Sequence, residues 1–475
     1  MKANLVYSIL SVLLKMLYPL VVFPYITRVL GVNGIGEYNY YNSIVSYMAL
    51  LANFGISIAG VREIGRYKNN RDEYSNVFFN LILANLFFAI ISYLILLGLA
   101  IFTDFLPNWK LLFATSMLLI SNALGCEWLF VGLECQKYLL FRNFTIKFIC
   151  VILIYTFVKE DSHLLRYAFI MMLSIIAVPI TNFRFYSSTI NWCSFSINRI
   201  RFRQTIHITV GAFLVDILLH YYGTMDVFLM GTLSSNEAVG YYSTAQKVYL
   251  IAYSLLAATA IPLLPRVSYY LKAKDMNAYD SIIQRCYGIY LLVGLFVSFF
   301  IVLYAKYIIL MIAGADFVFS SSPLIVFAFT IFFSTLCNFF VFQIFFPYSK
   351  TNHVVISYMI GIILNIILNS IMTPSMSYMG AAWAFLISYL TTFILLILGG
   401  RNIIPKYRKF KEDLVVFIPV TIILILHFLL GDFINHSNYP FFLIIDVSMF
   451  GMCLLLTRHH TTKYFIDLVI KRVRK

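Results

Sequence analysis

Charge is what this sequence has least of. Asp, Glu, Lys and Arg together make 12% of its 475 residues, about half the roughly 25% of an ordinary soluble protein. Hydrophobic residues make 61%. A soluble domain cannot bury so much apolar surface, because folding still leaves a polar skin in water. Soluble enzyme, nucleic-acid binder and disordered chain are thereby excluded, and the bilayer is the solvent. Catalytic signatures are missing too. There is no nucleophile elbow, no phosphate-cradling Gly loop before a Lys, and no zinc spacing. The seven cysteines have no His partner at metal-ligand spacing. They read as small buried apolar residues, not as disulfides. No cofactor is implied.

Length removes a further class. A spanning helix takes about 20 residues, so fourteen of them use about 290. What remains makes short connections rather than the soluble domain that an ATP-driven pump would need. Fourteen apolar stretches can be marked, from 4–30 to 440–457, the fifth being a short one at 143–158. The first is long, has only Lys2 ahead of it and shows no small-residue cleavage site. It reads as a retained span. The fold class is therefore all-α and polytopic.

The net charge is +15. In a membrane protein such an excess speaks first of topology, because Lys and Arg collect on the cytoplasmic side. Counted by loop, 28 of the 35 Lys and Arg residues fall on the side of the N-terminus, and four (Lys110, Lys159, Arg166, Lys306) on the other. The asymmetry predicts that both termini are cytoplasmic. Residues 137, 142 and 147 are among those assigned to inner segments. The tail over 458–475 is basic and amphipathic and is expected to lie along anionic lipids of the inner leaflet.

The chain repeats at an offset of 204 residues. Gly36-Glu37-Tyr38 falls on Gly240-Tyr241-Tyr242, Arg62 on Arg266 and Lys68 on Lys272. The plan around them is the same: span, short turn rich in Gly and Asn, span, basic loop. Such a parallel repeat is related by an axis along the membrane normal. It predicts a six-helix lobe over 1–190, a second over 206–400, and two extra spans over 414–457. Substrates of two-lobe transporters bind between lobes near the midplane.

Ionisable groups within spans are costly, which makes each a functional candidate. Lys15 lies near the middle of the first span, ahead of Pro19 and Pro24, which bend it. Arg28 lies near the outer end of that span. Asp216 and His220 are four residues apart on one face of the seventh. Asp226 lies further along it, and Lys247 two turns inside the eighth. Glu127 lies near the inner end of the fourth. Arg28 snorkels to headgroups or faces the cavity. Asp226 is an ion-coupling group or pairs structurally with Lys247. Asp216 with His220 is a proton relay or a simple hydrogen bond. Glu127 is interfacial or an ion-coupling carboxylate. Lys15, Arg28 and Lys247 are the cations suited to a phosphate-bearing substrate.

These residues carry a resemblance. The run FPYITRVLGVNGIGEYNYYNSIVSYMALLANFGISIAGVREIG resembles the opening of bacterial flippases for lipid-linked polysaccharide repeat units. These are the O-antigen and capsule flippases of the multidrug/oligosaccharidyl-lipid/polysaccharide exporter superfamily. DVFLMGTLSSNEAVGYYSTAQKV at 226–248 and NSIMTPSMSYMGAAWAFLIS at 369–388 are looser matches. The resemblance implies alternating access in a bacterial inner membrane, an undecaprenyl-pyrophosphate-linked oligosaccharide as substrate and a proton or sodium gradient as the energy source. It also implies basic cavity residues, with Arg28, Asp226 and Lys247 falling on the motifs. A polysaccharide polymerase is carried as a partner class, with no residue assigned to it. Two rivals stand beside this reading. A drug–cation antiporter of the same superfamily fold would want an acidic cavity. A membrane-embedded polymerase or ligase would want a large outer loop, and the longest outer segment, about 305–322, is short.

Overall fold

The computed structural model describes residues 2–102, 107–196, 200–257, 260–401, 403 and 445–448. Among these the chain is helical throughout and has no strand, as a bilayer requires of a backbone that must satisfy its own polar groups. The helices are α1 (Lys2–Asn53), α2 (Ile56–Tyr67), α3 (Arg71–Phe102), α4 (Trp109–Gly125), α5 (Glu127–Gly132), α6 (Gln136–Phe157) and α7 (Leu164–Thr189). They continue as α8 (Phe202–Leu233), α9 (Asn236–Ala257), α10 (Ala260–Lys272), α11 (Met276–Ile312), α12 (Ser321–Phe339) and α13 (Thr351–Gly400). Eight described helical stretches are long and apolar enough to cross a membrane. The two C-terminal spans and the tail expected over 414–475 lie outside the described residues, apart from one helical turn at 445–448.

Two helices are too long for one crossing. At 1.5 Å per residue, α1 and α13 would each run about 75 Å, against a hydrocarbon core of about 30 Å. Each is broken by one residue of positive φ, Gly31 (φ 65°, ψ −176°) in α1 and Ser377 (φ 51°, ψ −134°) in α13. Both fall where the sequence places its turns. Gly31 accepts this backbone without a Cβ clash.

The chain divides into two compact units. One comprises Met1–Ser243 with Ile312–Asp316, the other Thr244–Met311 with Phe317–Lys475. The first unit thus holds α8 and the start of α9 as well as α1–α7.

Within the first unit the 204-residue offset appears as contact. Asn39 donates from Nδ2 to Ser243 Oγ at 2.8 Å, and these two residues are 204 apart. A Cβ on Gly36 would stand 1.7 Å from the Asn236 carbonyl oxygen, and a Cβ on Gly240 would stand 2.3 Å from that of Val32. Gly36 and Gly240 are repeat mates, and so are Val32 and Asn236. The contact is therefore reciprocal, the signature of a local two-fold relation. The turn that carries it is tied down as well. Asn108, the N-cap of α4, accepts from Leu111 N and donates to Glu37 Oε1 at 3.0 Å, and Tyr41 OH accepts from Asn108 N at 2.8 Å.

At the opposite ends of these helices the first unit closes around Phe78, Trp128, Phe130 and Tyr186. Arg71 donates to the carbonyls of Ser188 and Thr189, at 2.7 and 2.9 Å, and so caps the end of α7. Lys68 pairs with Glu134 across 2.8 Å, both half exposed, and its ammonium holds the Glu134 carboxyl below its ordinary value. What the pair contributes is present above the unfolded carboxyl pKa and is lost as pH falls through the lowered one. Exposed pairs contribute little. Lys68→Ala is accordingly expected to leave the melting temperature of the detergent-purified protein unchanged at neutral pH, as measured by thermal unfolding.

The second unit packs on Tyr249. Its ring lies parallel to Tyr253, with centroids 5.8 Å apart, and edge-on to Phe385 at 5.4 Å. Along α13, Thr373 donates to Asn369 Oδ1 at 3.0 Å and Asn369 donates to the Asn365 carbonyl at 3.2 Å, all three residues buried.

Candidate functional site: a polar cavity in the first unit

A cavity of about 710 Å³ lies inside the first unit, walled by α1, α2, α4, α5, α6, α7 and α8. Its lining carries three ionisable side chains of opposite signs: Glu127, Lys147 and Asp216. Polar groups on membrane-spanning helices belong in such a place, since lipid offers them no partner.

Glu127 is presented by a break in the chain. Cys126 takes a left-handed conformation (φ 45°) between α4 and α5, so α5 starts at Glu127 and aims it into the cavity. There it forms an ion pair with Arg142 of α6. The Arg142 side chain is 2% exposed and that of Glu127 is 49% exposed. The guanidinium is held on its other sides by Asn182 Oδ1 at 2.7 Å and Asn143 Oδ1 at 2.7 Å. Asn182 is fixed in turn, donating to the Gly125 carbonyl and accepting from Tyr138 OH at 3.3 Å. Arg142 thus ties α6 to α7 and to the α4–α5 break.

Asp216 is buried on α8 and accepts from Asn53 Nδ2 at 2.9 Å. Asn53 Oδ1 in turn accepts from Ser57 Oγ at 2.8 Å. Lys147, half-buried, holds its ammonium 4.4 Å from the centre of the Tyr18 ring, a cation–π contact.

The sequence candidates separate accordingly. Glu127 and Asp216 share this cavity. Asp226 is buried on α8 and accepts from Tyr242 OH at 2.6 Å. Arg28 donates to the Pro24 carbonyl at 2.6 Å and packs its stem beside Gly314. Lys247 lies on α9 in the second unit, half-buried. Lys15 and His220 lie on α1 and α8, but their side chains are outside the described residues. The cations at this cavity, Lys147 on its wall and Arg142 behind Glu127, were both counted as topology signals in the sequence. The fifth apolar stretch starts at 143 and leaves Arg142 outside it, whereas α6 starts at Gln136 and carries both residues inside it. The signal that finds Lys147 is helical spacing: Asn143, Lys147 and Cys150 recur at four and three residues, one stripe of α6.

Comparison with known proteins decides the family. The model of the family described as "Polysaccharide biosynthesis protein" matches residues 1–271, more than half of the chain. The chain belongs to that family. A second family model, "Lipid II flippase MurJ", matches residues 146–448. Among curated relatives, a protein of Escherichia coli K12 named "Putative O-antigen transporter" is 21% identical over 274 residues, which is 56% of this chain and 65% of that protein. A protein of the same name from Shigella dysenteriae is 23% identical over 279 residues, 56% of this chain and 67% of that one. The matched stretch thus covers about two thirds of these relatives' length. Among solved structures, a lipid II flippase MurJ superposes with a TM-score of 0.72 at 16% identity, over 99% of this chain and 100% of that one. A multidrug resistance MATE family transporter of the MOP superfamily, in an inward-facing conformation, gives 0.62 at 13% identity, over 82% and 94%. At such identities these likenesses establish the fold. This member of the polysaccharide biosynthesis family is a multi-pass membrane protein with the architecture of that superfamily.

Proposed function

We propose that this protein is a flippase. It moves an undecaprenyl-pyrophosphate-linked oligosaccharide repeat unit across a bacterial inner membrane by alternating access, driven by a proton or sodium gradient. The observation that carries the reading is the polar cavity in the first unit. An oligosaccharide presents many hydroxyls and a pyrophosphate presents anionic oxygens. A spanning region accommodates either only where it supplies polar partners away from lipid. Lys147 supplies the cation on the wall, and Asn53, Asn122, Asn143 and Ser121 supply neutral hydrogen-bonding groups. The names of the O-antigen relatives support the same substrate class. The positive-side count supports a cytoplasmic loading side.

A cation antiporter is the rival that the superfamily fold keeps in view. Its organic cation would need a cavity with an excess of carboxylate. The two carboxylates here, Glu127 and Asp216, are balanced by the two cations at the cavity, Arg142 and Lys147. Expression in a bacterial strain lacking its own O-antigen transporter tests the two together. Surface polysaccharide is expected to return, with no gain in resistance to cationic dyes. Dye resistance without polysaccharide would reverse the assignment.

A further inference from the structure

Arg142 is a buried cation, and its shell has an asymmetry. Asn182 and Asn143 are neutral, and Asn182 is fixed from behind by Gly125 and Tyr138. Glu127 is the charged partner and stands half exposed on the cavity side, while Arg142 itself does not reach the lining. A carboxylate therefore lies between a buried guanidinium and the space where a substrate would enter.

We infer that Glu127 is an internal stand-in for the substrate's anion: it occupies the cavity-facing edge of Arg142 when the cavity is empty, and a pyrophosphate group entering the cavity exchanges for it. This rests on the proposed reading of the cavity as the place of a phosphate-bearing head group.

Guanidinium binds carboxylate and phosphate with the same fork of N–H donors, so one can replace the other without moving Arg142. The exchange is feasible in solvation terms. Glu127 is already half in the wet cavity, so releasing it buries no new charge. Arg142 would be left uncompensated only if nothing replaced it, which is costly for a buried cation. The site is thus held neutral until an anion arrives, and anion affinity is set by competition with a tethered carboxylate. The arrangement favours a doubly charged pyrophosphate over monovalent anions, because only the stronger ligand displaces Glu127. It also limits how tightly the substrate is held, which release on the far side requires.

The test uses the full-length protein purified in detergent. Binding of inorganic pyrophosphate and of a short-chain prenyl pyrophosphate is measured by calorimetry for the wild type, Glu127→Gln, Glu127→Ala, Lys147→Ala and the double variant E127Q/R142K. Thermal unfolding of each sample checks folding, and the Ala variant serves if the Gln variant does not fold. Removing the competing carboxylate is expected to tighten both probes at least about tenfold. The double variant is expected to lose that gain, since an ammonium does not reproduce the fork.

Unchanged affinity in folded Glu127→Gln or Glu127→Ala would overturn the exchange. If wild-type binding is still lost in Lys147→Ala, the cavity reading survives that result. Absence of pyrophosphate binding in every variant would overturn both. A gain that persists in the double variant would remove Arg142 from the account. A gain confined to inorganic pyrophosphate would overturn the exchange as a step for a lipid-linked substrate.

Discussion

Gly36→Ala is expected to destabilise the protein by about 3 kcal/mol or more, at the upper end of what overpacking costs. The added Cβ would fall 1.7 Å from the Asn236 carbonyl oxygen, 2.6 Å from its carbon and 2.9 Å from Gly240 N. All three atoms are backbone, so no rotamer change relieves the clash and the two helix starts must separate. Separation also stretches the Asn39–Ser243 hydrogen bond one turn on. Gly240→Ala meets the reciprocal obstacle at Val32 and is expected to behave alike. Gly98→Ala is the control. Nothing lies within 4 Å of a Cβ there, and Ala is the better helix former. Thermal unfolding of detergent-purified protein checks all three. A melting temperature for Gly36→Ala equal to that of Gly98→Ala would show that the close approach is not present.

The second large effect is at Arg142. Arg142→Met is expected to cost about 3 kcal/mol, the low end of the penalty for breaking a buried ion pair. The low end applies because Glu127, left alone, is half exposed and keeps part of its hydration. The loss also leaves Asn182 Oδ1 and Asn143 Oδ1 without the guanidinium they accept from, which adds the cost of unmade hydrogen bonds. Adding Glu127→Gln to Arg142→Met is expected to return part of the stability, since both charges are then gone. Coupling of about 0.5–3 kcal/mol is ordinary for residues in contact. Strict additivity in the four-way comparison, read by thermal unfolding, would contradict the pairing.

These two sites differ in how legible they were. The Gly36 contact was written in the sequence. The turn LGVNGIGEY and its counterpart around Gly240 share a register, and the symmetry mates that the 204 offset pairs are the ones that touch. The all-helical fold followed from hydropathy for the same reason, because a bilayer leaves the backbone few choices. The break at Gly31 fell in a turn that the sequence marked.

The cavity was read less well. Asp216 and Glu127 were picked out as intramembrane carboxylates, and both line it. Arg142 falls just ahead of the 143–158 stretch, because hydropathy ends a span where polar residues begin, and Lys147 inside it was counted with the inner-side charges, whereas a helix lining a cavity tolerates both one face at a time. The left-handed residue at Cys126 carries no sequence signal, being neither Gly nor Asn. Without it, Glu127 reads as an interfacial charge at the end of one long helix rather than the first residue of a new one. Pairing was equally hidden: helix position alone does not show that Tyr242 donates to Asp226, sixteen residues away along the chain.

The central claim is that the cavity of the first unit carries the phosphate-bearing head group of a lipid-linked substrate. Flipping in proteoliposomes tests it most directly. The wild-type protein and Lys147→Ala are reconstituted with a fluorescent polyprenyl-pyrophosphate-linked sugar, and its appearance on the opposite leaflet is timed under an imposed ion gradient. The wild type is expected to flip the lipid, and Lys147→Ala, equally folded and equally inserted, to slow it at least about a hundredfold, the loss of one charge-assisted contact to an anion. Equal rates for the two proteins would contradict the account.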